Sequence, residues 1–172
     1  MKIIPKLILP ALLIGLLFNS CKKNDSGSSP GMAMKFNCNG KAISFNSCYA
    51  EATTVGNTSE VMITGVNITN SKHGTTSFEV ALTHDFNTLK SGQTYPIGRS
   101  ISQVDAATLF YFTTATNVFN TQPGNTEGTV TVTEVTSATV KGTFSGKLFA
   151  EDDLEGQSMV YTITNGEFTA KK

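Results

Sequence analysis

From Ala33 onward the chain alternates apolar and polar residues at a period of two, and no stretch holds the three-to-four spacing of a helix. Successive side chains of an extended strand point to opposite faces, so this alternation builds sheets with one face buried. The clearest run is Val140 to Leu148. Val140, Gly142, Phe144, Gly146 and Leu148 share one face, and Lys141, Thr143, Ser145 and Lys147 take the other. Ser77 to Thr83 repeats the pattern through Phe78, Val80 and Leu82, and Gly128 to Val135 through Val130 and Val132. Met34–Cys38, Lys41–Phe45, Glu60–Thr69, Thr94–Ile97, Thr108–Thr114 and Met159–Thr164 read as further strands on the same grounds. Asn39-Gly40 is the strongest hairpin signal, because a two-residue type I′ turn needs positive φ at both central positions.

Leu109-Phe110-Tyr111-Phe112 is apolar at both parities, which predicts a central strand covered on each side. The parity shifts across Gly65 within Glu60–Thr69, as a bulge would produce, and a similar slip is expected at Asn165-Gly166 before Phe168. Nine or ten short strands with turn signals between them predict an all-β, antiparallel β-sandwich over residues 33–172. An up-and-down or calycin-like β-barrel is the alternative.

The amino terminus reads as an address. Lys2 and Lys6 frame a basic start, and Leu7 to Phe18 is an apolar run of twelve residues broken by Pro10 and Gly15. A membrane span needs about 20 apolar residues, so residues 1–20 are expected to be a signal peptide. Ser20-Cys21 directly after the run is similar to a lipobox, which makes Cys21 the expected lipidation site and first residue of the mature chain. Acyl chains contribute about 0.8 kcal/mol per buried methylene, and two or three chains hold stably. Cys21 is therefore expected to hold the domain at a membrane, and the resemblance of Ser20-Cys21-Lys22-Lys23 to the lipoboxes of Bacteroidota lipoproteins implies the outer membrane, facing the periplasm or the cell surface. Residues 21–32, rich in Ser and Gly, form a flexible tether, and the ten residues 22–31 span roughly 17 Å on average.

Charge narrows the partners. The full chain has 13 basic and 13 acidic residues; without residues 1–20 the balance is 11 against 13, a net of −2. No basic stripe is present to neutralise phosphates, so nucleic acid is not an expected partner. The expected partners are the membrane, through the acyl chains, and an unidentified protein or glycan.

The opening Phe36-Asn-Cys-Asn39-Gly40-Lys, the later Val140-Lys-Gly142-Thr143-Phe144 and the closing Ile163-Thr164-Asn165-Gly166-Glu-Phe168 resemble a group of small Bacteroidota lipoproteins of unknown function. The resemblance covers most of residues 33–170 and rests on turn glycines and core residues. It implies a β-rich domain on a lipid anchor and supplies no catalytic residues. The chain departs from the group in having Ile43-Ser-Phe45 where an aromatic residue, often Trp, follows the Asn-Gly turn.

No catalytic or cofactor motif emerges. His73 lies in a turn-like Asn70-Ser-Lys-His-Gly74, and His84 precedes Asp85 at a strand end. Neither has a neighbouring serine elbow or third metal ligand in sequence. Gly142-x3-Gly146-Lys147 is one residue short of a phosphate loop and lies in a strand. Asp152, Asp153 and Glu155 form a candidate Ca²⁺ loop, with an ordinary solvated acidic hairpin as the other reading. With Cys21 lipidated, Cys38 and Cys48 are either a disulfide or two buried thiols. A straight strand carries Cys48 roughly 23 Å beyond Lys41, so a bridge requires the chain to bend near Asn46-Ser47. Tyr49, Tyr95 and Tyr111 are the aromatics to consider for stacking on sugar rings, core packing being the alternative for each. The leading expectation is a non-enzymatic, lipid-anchored binding or accessory module. The rivals are a barrel carrier of an apolar molecule and a hydrolase with an unrecognised site.

Overall fold

A computed structural model describes residues 31–55, 58–67, 76–98, 105–114, 117–122, 124–150 and 159–172. Cys21, His73, Asp152, Asp153 and Glu155 lie outside them. The described chain is all-β: β1 (Ala33–Cys38), β2 (Lys41–Phe45), β3 (Ser47–Val55), β4 (Thr58–Val66), β5 (Ser77–Leu82), β6 (Thr94–Pro96), β7 (Ala107–Phe112), β8 (Val118–Asn120), β9 (Gly128–Val135), β10 (Thr139–Ala150) and β11 (Met159–Lys171).

The strands form one sheet in the order β2-β1-β11-β3-β4-β5-β7-β8-β10-β9-β6, and β10 also pairs with β11. That added pairing folds the sheet over on itself. One layer is β2-β1-β11-β10-β9-β6 and the other is β3-β4-β5-β7-β8. The layers join at two narrow seams. The first is the parallel pair Lys171–Tyr49 between β11 and β3, and the second is Phe149–Asn120 with Ala150–Phe119 between β10 and β8. Among the named strands every other pairing is antiparallel.

The interior follows from the alternation. Phe36 and Phe144 from the first layer meet Phe78 from the second, with ring centroids 4.5 and 5.1 Å away, and Tyr111 stands edge-on to Phe36 at 6.0 Å. Such pairs add about 0.5–1.5 kcal/mol each beyond the area they bury. These rings fill the centre between the layers, where an apolar cargo would otherwise sit.

Local geometry explains the turns. Asn39 (φ 48°) and Gly40 (φ 80°) take the left-handed conformation that the tight β1–β2 hairpin demands. The Thr162 N–H donates to Asn39 Oδ1 at 2.7 Å, which ties this turn to β11. Between β2 and β3 the single residue Asn46 carries the chain from one layer to the other. Its N–H donates to Asn67 Oδ1 at 3.0 Å, and Asn67 Nδ2 donates to the Ser44 carbonyl at 3.3 Å. The slip expected at Asn165-Gly166 is present: Asn165 has φ 53°, and the register shifts against both β1 and β10 there.

Two expectations need correction. Gly65 is no bulge, since β4 keeps unbroken register with β3 and β5. It is glycine because a Cβ there would lie 2.9 Å from Met34 Cβ and Sδ and 3.1 Å from Phe45 Cδ2. Cys38 and Cys48 form no disulfide; both are free and buried. The chain does turn at Asn46, but it crosses into the other layer. Cys38 is opposite Ile163 of β11, whereas Cys48 precedes the residue opposite Lys171. Those positions on β11 are eight residues, or about 26 Å of strand, apart.

Candidate functional site

The two layers present different chemistry to solvent. The first shows threonines and lysines, and three of its lysines are paired. Lys35 meets Glu167 at 3.0 Å, Lys141 meets Glu134 at 3.0 Å, and Lys147 meets Glu127. Thr94 Oγ1 and Thr131 Oγ1 share a hydrogen bond at 3.1 Å. Exposed pairs of this kind contribute about 0–1 kcal/mol and leave a hydrated surface.

On the second layer the strand registers set Tyr49, Thr64, Glu79, Phe110 and Asn120 in one row across β3, β4, β5, β7 and β8. Each belongs to the parity opposite the core residues Cys48, Ile63, Phe78, Leu109 and Tyr111, so the row lies on the outer face, with Thr64 itself buried. At about 4.8 Å between strands the row is roughly 19 Å long. Val66, Ser77, Phe112 and Val118 form the next row. Phe110 and Phe112 are half-buried and lie nearly parallel, 26° apart with centroids at 6.3 Å, giving a flat apolar ledge. Among the described residues Tyr49 is the large apolar side chain classed as exposed, at 37%.

The same face is acidic. Glu51, Glu60 and Glu79 take the outer-face parity of β3, β4 and β5, Glu51 exposed, Glu79 half-buried and Glu60 buried, and the five strands of the layer contain no lysine or arginine. Among the described residues none of the three carboxylates makes an ion pair. Burial pushes the Glu79 and Glu60 carboxyls above their ordinary values. Glu60 lies four positions along β4 from Thr64, the partner of Glu79, so the backbone positions of the two glutamates are about 13 Å apart along the strand direction. Paired glycosidase carboxylates are about 5–9.5 Å apart, and this pair does not meet that geometry.

A second cluster joins the connections at one end of β5. His84 Nδ1 lies 2.8 Å from Asp105 Oδ1, and its Nε2 lies 3.2 Å from Thr88 Oγ1. Asp105 holds a left-handed backbone (φ 61°), and its N–H donates to the Thr83 carbonyl at 2.9 Å. Tyr95 packs edge-on against the imidazole at 5.6 Å. Its hydroxyl is buried without a hydrogen-bond partner among the described residues, and burial, with Asp105 nearby, pushes its pKa up to about 12. The order carboxylate–imidazole–hydroxyl is that of a nucleophilic triad. Thr88 nevertheless sits on an exposed turn, and its hydroxyl donates to the Asp85 carbonyl, 3.1 Å from Oγ1. The cluster works as a latch between the β5–β6 and β6–β7 connections.

Of the residues singled out in sequence, Tyr95 and Tyr111 are core side chains at 1% and 8% exposure, and Tyr49 alone of the three reaches the outward row. His84 is joined to Asp105, twenty-one residues away, instead of the adjacent Asp85. Phe110 and Phe112, expected under a cover, are the half-buried ledge itself. Among the described residues no group of three or more His, Cys, Asp or Glu is arranged to hold a metal. No protein-family model, curated protein or solved structure matches this chain.

Proposed function

We propose that this protein is a lipid-anchored envelope module, without a catalytic role, that holds a saccharide chain against the outer face of its second layer. The observation carrying the reading is the Phe110–Phe112 ledge, with Glu79 and Asn120 on either side of Phe110 in one row. A sugar ring has a flat face of C–H groups that packs on an aromatic ledge. Its hydroxyls require acceptors and donors placed beside that ledge, here a carboxylate and an amide. On the strands of the first layer Tyr161 is the one described aromatic side chain that is not buried, so no pair of part-exposed rings lies there. The lipid at Cys21 fixes location, which leaves the domain's surface available for the ligand.

Native affinity electrophoresis in gels containing soluble polysaccharides tests the reading. Retardation of the purified protein by at least one of them is expected. The Phe110→Ala, Phe112→Ala double variant should bind at least about tenfold more weakly, in line with the weight of aromatic anchors. A wild-type chain that migrates unhindered in every gel would remove the reading. The anchor has its own test, an intact mass of the native protein. A mature chain starting at Cys21 with acyl mass supports it, and any other start overturns it.

A further inference from the structure

The second layer's charge pattern says which saccharides such a face admits. All five described strand lysines, Lys35, Lys41, Lys141, Lys147 and Lys171, belong to the first layer, while β3, β4, β5, β7 and β8 hold three glutamates and no cation. Lys171 reaches the margin of the outer face, at the seam beside Tyr49. From there to Phe110 are four strand spacings, roughly 19 Å, about twice the Debye length at physiological salt. Glu79 neighbours Phe110 directly across the β5–β7 ladder.

We infer that the face selects by charge, admitting neutral saccharide chains and rejecting those that carry carboxylate or sulfate groups. The inference rests on the saccharide reading above. A ring stacked on Phe110 lies beside the Glu79 carboxylate, which accepts hydrogen bonds from neutral hydroxyls. A carboxylate or sulfate on that ring instead meets Glu79, with Glu51 one strand beyond Thr64 on the same face, and finds no lysine or arginine on the five strands beneath it. The half-buried setting of Glu79 weakens the water screening that an open surface would supply. Rejection is then built from unpaired like charge, a common source of specificity.

Pairs of polymers that differ mainly in charge test the inference with the purified protein: methyl-esterified against de-esterified polygalacturonate, hydroxyethyl against carboxymethyl cellulose, and dextran against dextran sulfate. The neutral member of any bound pair should be held at least about tenfold tighter, and the gap should narrow as salt rises. The Glu51→Gln, Glu79→Gln double variant should reduce the gap to about threefold or less, the gap being the readout whatever the loss of Glu79 does to the absolute affinity for the neutral member. Circular dichroism checks that the variant is folded; should it fail, the single Glu51→Gln, at an exposed position, must still narrow the gap. Equal or tighter binding of the charged member by the wild-type chain overturns charge selection and leaves the saccharide reading standing. A gap unchanged in the folded variants also overturns it, because other groups would then be responsible. Binding to no member of any pair removes the saccharide reading, and charge selection falls with it.

Discussion

Glu79 shows how one residue can serve a surface at the expense of the fold. Burial raises its carboxyl pKa in the folded chain above the unfolded value, so the folded state keeps the proton to higher pH. The stability tied to that proton is complete below the unfolded pKa and is lost as pH rises through the folded one. Glu79→Gln should therefore melt like the wild type in acid and at a higher temperature near neutral pH, as a pH series of thermal melts would reveal. Cys48 is the opposite kind of residue, apolar in all but name. It is 2% exposed, and burial pushes its thiol up to about 12. At pH 8 a thiol reagent should leave Cys48 untouched in the folded protein and label it, without prior reduction, once the chain is unfolded. The sequence showed little of either role. Glu79 reads as an ordinary solvent-facing residue in an alternating strand, and its neighbour Phe110 is thirty-one positions away. Only the register of β5 against β7 brings them side by side.

Among the elements, those with bulky alternating residues were legible and those without were not. β10 announces itself through Val140, Phe144 and Leu148. β3 is not legible because its buried inward positions are only Cys48 and Ala50, too small to stand out from a polar loop. β8 has three residues, below the length at which period two can be recognised. The bulge in β11 was readable because Asn-Gly tolerates the left-handed backbone that it needs. Asn165→Val should cost about 1–2 kcal/mol, the strain of a β-branched residue at positive φ, measurable by urea denaturation. The His84 latch was not readable, since its carboxylate comes from another connection. His84→Ala removes contacts to both Asp105 and Thr88 and should destabilise by about 1–3 kcal/mol, while Asp105→Asn, which keeps an acceptor and tolerates the backbone, should cost less than half of that.

At the scale of the whole molecule the fold is completed by its first and last strands. β1 lies between β2 and β11, and β11 in turn supports β10 and makes the seam to β3 through Lys171. Removing residues 167–172 strips β10 of its partners from Thr139 to Thr143 and opens that seam. The truncated chain should lose the cooperative melt followed by circular dichroism. The edges of the sheet are guarded in a familiar way: β6 is three residues ending in Pro96, and β2 is short and begins with Lys41. The placement of β1 inside its layer also has a mechanical consequence. A chain held at its amino end by lipid and at its flank by a polymer, as proposed above, would be pulled lengthwise along β1, against ladders on both sides. Such a load must break many hydrogen bonds together, as in shearing a ribbon from between two others, and cannot peel them one at a time as it would from a free edge.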